Sequence, residues 1–154
     1  MRKQPALCVL STLLFLWSPV GFFSAQAQEL GLRWGDTVGN DVAIDGIVSI
    51  GDYSRIHADV SFGNGGVGLD GLIDFVYRPL FGDESLYWYV GAGASSFLGD
   101  DFLLGGSGEL GLQYTFDFPM SLSADWRPTL WIIKPDGADA FYGDSFGINI
   151  RYVF

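Results

Sequence analysis

Basic residues are scarce in this 154-residue chain, with 8 Lys and Arg against 18 Asp and Glu, and histidine and cysteine each occur once. The net charge of −10 makes a polyanion such as nucleic acid an unsuitable partner. A lone cysteine, Cys8, excludes an intrachain disulfide and zinc–cysteine sites. With His57 the only histidine, any histidine-dependent hydrolase chemistry must run through it. Beyond Gln28 no uninterrupted apolar run approaches the roughly 18 residues of a membrane helix, so a helical membrane protein is excluded.

What is present begins with a leader. Arg2 and Lys3 precede the apolar run "ALCVLSTLLFLWSPVGFF", and Ala25 and Ala27 have the spacing that a signal peptidase reads. Residues 1–27 are therefore expected to be a cleaved signal peptide, taking Cys8 with them, and residues 28–154 a single exported domain. Loss of Arg2 and Lys3 leaves 6 basic against 18 acidic residues, so the charge becomes −12.

Periodicity in this domain is that of strands, over 29–35, 42–50, 54–62, 66–78, 86–97, 103–116, 120–133 and 145–154. Between them lie short runs such as "GDYS", "GNG", "LGDD" and "DFP", so each strand most simply turns back beside its neighbour in an up-and-down meander. One face of these strands carries Leu30, Leu32, Trp34, Ile44, Ile50, Ile56, Val60, Phe62, Leu69, Ile73, Phe75, Tyr77, Trp88, Val90, Leu110, Leu112, Tyr114, Phe116, Leu122 and Trp126. The opposite face carries Glu29, Arg33, Asp45, Arg55, His57, Asp59, Asp70, Asp74, Arg78, Glu109, Gln113, Asp125, Arg127 and Arg151.

A soluble sandwich would turn that polar face to water and share its basic residues with the loops. Instead, five of the six Lys and Arg beyond residue 27 (Arg33, Arg55, Arg78, Arg127 and Arg151) sit on the polar strand face, and only Lys134 lies in a connection. Mixed Arg and carboxylate side chains suit the inside of an eight-stranded barrel, just wide enough to be filled, with the apolar face turned to lipid. Closure also removes every strand edge, as a sheet in lipid requires. The expected fold is all-β, an eight-stranded antiparallel up-and-down transmembrane β-barrel, with Trp34, Trp88, Trp131, Tyr114, Phe116 and Tyr152 in interfacial belts.

The stretch "GLQYTFDFPMSLSADWRPTL" and the closing "FGINIRYVF" resemble the small outer-membrane β-barrel proteins of Gram-negative bacteria, the eight-stranded class of OmpA-like and OmpX-like barrels. That resemblance spans residues 28–154. It implies an outer-membrane location with both termini periplasmic, lipid as the surrounding partner, and insertion by the barrel-assembly machinery, which reads an aromatic-ended last strand matched here by Tyr152 and Phe154. It implies no single function, because members of the class serve as anchors, adhesins or enzymes.

Several motifs have a structural reading that outweighs the functional one. "GSGELG" (Gly106, Gly108, Gly111) and "GNGGVG" (Gly63, Gly65, Gly68) have dinucleotide-binding spacing, but neither leads into a helix. Glycine in a barrel strand instead makes room in a narrow interior. His57 shares parity with Arg55 and Asp59, which places it inside rather than toward a lipid substrate. The connection acids Asp36, Asp41, Asp100, Asp101, Asp136, Asp139 and Asp144 offer oxygen ligands to Ca²⁺ or Mg²⁺, but lack the spacing of a dedicated loop and read better as turn residues. Pro128 cannot donate to a ladder, which predicts a break there and a one-residue slip of face over Thr129–Ile133, turning Trp131 outward.

The functional expectation is a structural, envelope-integrity barrel with a side-chain-filled interior, without catalysis, cofactor or metal. The alternative is a binding module that recognises an envelope or surface partner through the 134–144 loop; less favoured is a narrow pore or a lipid-A-modifying enzyme.

Overall fold

The structure, a computed structural model, describes residues 28–154. The signal peptide expected over residues 1–27 lies outside the described residues. Ten strands follow in chain order: β1 (Gln28–Thr37), β2 (Asn40–Gly51), β3 (Ser54–Gly63), β4 (Gly66–Leu80), β5 (Asp83–Leu98), β6 (Phe102–Thr115), β7 (Met120–Trp126), β8 (Thr129–Ile133), β9 (Phe141–Tyr142) and β10 (Phe146–Val153). β1 to β7 pair with their sequence neighbours, β7 pairs with β10, and β10 pairs with β1, all antiparallel. The sheet thus closes on itself. β8 continues the line of β7 along β6, and β9 pairs with β8, so the ring contains eight staves with up-and-down connectivity.

Local chemistry explains the turns. Asn64 and Gly65 have φ of 47° and 76°, the two left-handed residues of a type I′ hairpin, whose twist matches that of the strands it joins. The last stave meets the first at the opposite end, where the Phe154 amide donates to the Gln28 carbonyl at 2.9 Å. Leu30 stands opposite Tyr152, and Leu32 opposite Ile150.

The alternation of the strands separates two surfaces. Leu30, Leu32, Ile44, Ile56, Ile73, Leu110, Leu112, Ile148 and Ile150 are exposed on the outside. Inside are most of the ionisable strand residues together with a few apolar ones, Ala43, Ile47, Leu72 and Phe97. Between the strand ends the outward positions bear no charge except at Arg78, near the end of β4. The ends carry paired aromatics: Tyr114 against Phe116 at 5.0 Å, Phe116 against Phe118 at 5.0 Å, Tyr152 against Phe154 at 5.0 Å, and Trp126 against Phe146 at 6.3 Å.

Two face assignments need correction. Asp74 pairs with Gly91 and Val76 with Val90, which leaves Phe75 as an extra, bulged residue. Past the bulge the parity inverts, so Tyr77 turns inward over the Arg55 guanidinium at 3.9 Å, and Arg78 turns out, stacking on Tyr53 at 4.2 Å. Arg78 therefore does not belong to the interior network, and Tyr77 does not belong to the outer face. At Pro128 the regular strand stops as expected, with β7 ending at Trp126 and β8 starting at Thr129. The face does not slip there, because the Gly108 amide still donates to the Pro128 carbonyl at 2.9 Å and the register carries through, so Thr129 remains buried. Trp131 accordingly lines the mouth of the barrel instead of the outer belt. Register shifts only beyond it, between Trp131 and Ile133.

Candidate functional site

The interior is the chemically dense part of the molecule. Glu29, Arg33, Asp45, Arg55, His57, Asp59, Asp74, Glu109, Gln113, Asp125, Arg127 and Arg151 are all buried there. Asp70 is half-buried toward one mouth, where it accepts a short bond from Ser95. Register places Asp45, Asp59 and Asp70 directly opposite one another on β2, β3 and β4, an arrangement that like-charge repulsion disfavours unless cations reach it.

Those cations come from across the lumen. Gly31 faces both Asp45 and Arg151; with no side chain in the way, Arg151 reaches over β1, and its Nε donates to Asp45 Oδ2 at 2.6 Å. Arg127, following β7, pairs with Asp59 and donates through Nε to Glu109 Oε1 at 2.9 Å. Arg33 on β1 pairs with Asp125, which also accepts from Asn149 at 2.6 Å and the Tyr89 hydroxyl at 3.1 Å. Arg55 binds Asp74 through Nε and Nη2 at 3.0 and 2.8 Å, and donates to Gln113 Oε1 at 2.7 Å. Gln113 and Ser121 in turn donate to Glu29 at 3.0 and 2.7 Å. Charge-assisted bonds of this kind are strong when desolvated and correctly placed.

His57 occupies the middle of this network, with Nε2 2.7 Å from Asp45 Oδ1 and Nδ1 3.2 Å from Glu109 Oε2. It is fully buried, so its ring is closed off from the outer surface of the barrel. Two groups hold ligand atoms within 4.8 Å of one another, Asp45–His57–Asp59 and His57–Asp74–Glu109. The inward glycines have the expected role: a Cβ on Gly111 would strike the Tyr89 ring, and one on Gly147 the Arg33 guanidinium.

One mouth forms a recess of about 310 Å³ lined by Asp36, Asn40, Asp41, Asn64, Trp131 and Tyr142 among others. Partial burial pushes the Tyr142 phenol up, and a bond to Asp36 adds to that shift. Tyr152 and Phe154, expected from the resemblance to form an assembly signal, are both exposed on the outer surface at the other end.

No protein-family model and no curated protein matches this chain. Sequence parity did not single out Ser95, Ser107, Ser123, Asn149 and Tyr89, which complete the interior bonding. All five lie at positions that the strand alternation assigns inward, so periodicity extended from charged to small polar residues would have found them.

Proposed function

We propose that this protein is a small integral outer-membrane barrel of a Gram-negative envelope, OmpA-like or OmpX-like in class, that contributes to envelope integrity without catalysis. The observation that carries this reading is the distribution of charge: a closed sheet with an uncharged apolar outside and a buried ionic inside. A water-soluble protein rarely exposes an apolar patch larger than about 600 Å², whereas here large aliphatic and aromatic side chains encircle the barrel. Hydrocarbon is the solvent that suits this outside. Aromatic pairs at the two ends fit the boundaries of a bilayer, and closure of the ring through β1 to β7 and β10 pairs the strand edges that lipid would not tolerate.

In this reading the partners are outer-membrane lipid and, during insertion, the barrel-assembly machinery acting on Tyr152 and Phe154, with both termini periplasmic. The filled interior serves the fold, and His57 is a member of its ion-pair network. The test is gel migration of the outer-membrane fraction, unboiled against boiled, in mild detergent. A heat-dependent change of mobility in the membrane fraction is expected; recovery in the soluble periplasm with a single mobility would refute the membrane reading.

A further inference from the structure

Buried charges in the interior do not cancel. Six carboxylates (Glu29, Asp45, Asp59, Asp74, Glu109, Asp125) face four guanidinium groups (Arg33, Arg55, Arg127, Arg151), so with a neutral His57 the count is 4 − 6 = −2. Hydrogen bonding places the deficit at two buried carboxylate oxygens that have no donor, Asp59 Oδ1 and Asp74 Oδ1. Glu29, Asp45 and Asp125 each have both oxygens engaged. Asp74 Oδ2 accepts both bonds from Arg55, while its Oδ1 is buried with no donor. Beside it, Glu109 Oε1 accepts from Arg127, and its Oε1 and Oε2 lie 3.0 and 3.2 Å from His57 Nδ1. An unpaired anionic oxygen away from water is strongly unfavourable, so a cation belongs at this point.

We propose that Asp74, Glu109 and His57 Nδ1 bind one divalent transition-metal ion of the Zn²⁺ type within the barrel. One ion of charge +2 cancels the deficit. Ligands at the roughly 2.0–2.2 Å typical of nitrogen and carboxylate donors stand at most about 4.4 Å apart, so atoms within 4.8 Å of one another need only small side-chain rotations to close around an ion. The imidazole favours zinc over Ca²⁺ or Mg²⁺, which prefer oxygen alone. Arg55 and Arg127 hold the second oxygen of each carboxylate, the arrangement that orients ligands from behind. Arg127 Nη2 lies 2.9 Å from His57 Nε2 and 3.4 Å from Nδ1, but its charge is matched by Asp59 and Glu109. The group on the other side of the ring, Asp45–His57–Asp59, is unsuitable: both Asp45 oxygens are engaged, and Arg127 and Arg151 crowd Nε2 at 2.9 and 3.1 Å.

Because His57 is fully buried, the ion must enter while the chain folds. This inference rests on the closed barrel and not on its location. The experiment is refolding of residues 28–154 from urea into detergent micelles with Zn²⁺ or with chelator, followed by removal of free metal and elemental analysis of the folded, fast-migrating form. Wild-type protein and the Asp70→Asn control should retain about one zinc per chain, and Asp74→Asn at least about tenfold less; X-ray absorption of the bound zinc should show nitrogen and oxygen donors only. Equal zinc in wild type and Asp74→Asn would overturn the proposal. Should Asp74→Asn fail to fold, wild type alone decides: zinc retained with a higher temperature of mobility loss supports the site, and no retained zinc rejects it in favour of a proton shared by Asp74 and Glu109.

Discussion

Asp125 shows how a single side chain organises the interior. It accepts from Arg33, Tyr89 and Asn149, three residues drawn from β1, β5 and β10, so one carboxylate ties the staves of the closing seam to the far wall. Asp125→Ala would leave Arg33 buried without its counter-ion, and loss of one partner of such a pair costs about 3–5 kcal/mol. Removing both charges at once, as Asp125→Ala with Arg33→Met, should recover most of that loss, since apolar replacement of a buried pair is often close to neutral. Urea titration of the heat-modifiable form measures both; equal destabilisation by the single and double variants would show that the pair does not act as a unit. The inward position of both residues was legible from strand parity alone. Their pairing was not, because partners that meet across a lumen are separated by 92 residues and no local pattern links them.

At the scale of the element, irregularities decide which side chains go where. The bulge at Phe75 inverts the end of β4, so Arg78 is exposed and Tyr77 stacks on Tyr87 at 4.5 Å with the Arg55 guanidinium 3.9 Å from its ring centre. Arg78→Ala should therefore shift stability by no more than about 0.5 kcal/mol, the usual range for an exposed site. Tyr77→Ala, which removes a packed aromatic, should cost about 2–4 kcal/mol. Unfolding midpoints in urea compare the two, and a larger loss for Arg78→Ala would return that residue to the interior. The bulge was not legible in the sequence, since in "DFVYRP" Phe75, Val76 and Tyr77 are all large and apolar and either parity can be drawn through them. Pro128, by contrast, was visible because its missing amide has a direct consequence. Its effect is confined to the ladder: pairing through the Pro128 carbonyl keeps Thr129 inside, bonded to Ser107 at 2.7 Å, and holds the face up to Trp131.

For the whole molecule, closure and filling are linked. An eight-stranded ring leaves an interior that side chains can just occupy, and here Arg127 spans it to Asp59 while Arg151 and Arg33 close it from the seam. Fully buried Tyr89, Ile47 and Leu72 add to the side chains that fill the interior around His57. Wild-type protein in planar bilayers is therefore expected to show no steady ion current. Arg127→Ala combined with Asp59→Ala removes a bulky crossing pair with no net change of charge, and should admit water and raise conductance, provided the heat-modifiable form persists. Sustained current through the wild type, unchanged by that double substitution, would mean that ions pass by another route and that the ionic interior is not a plug.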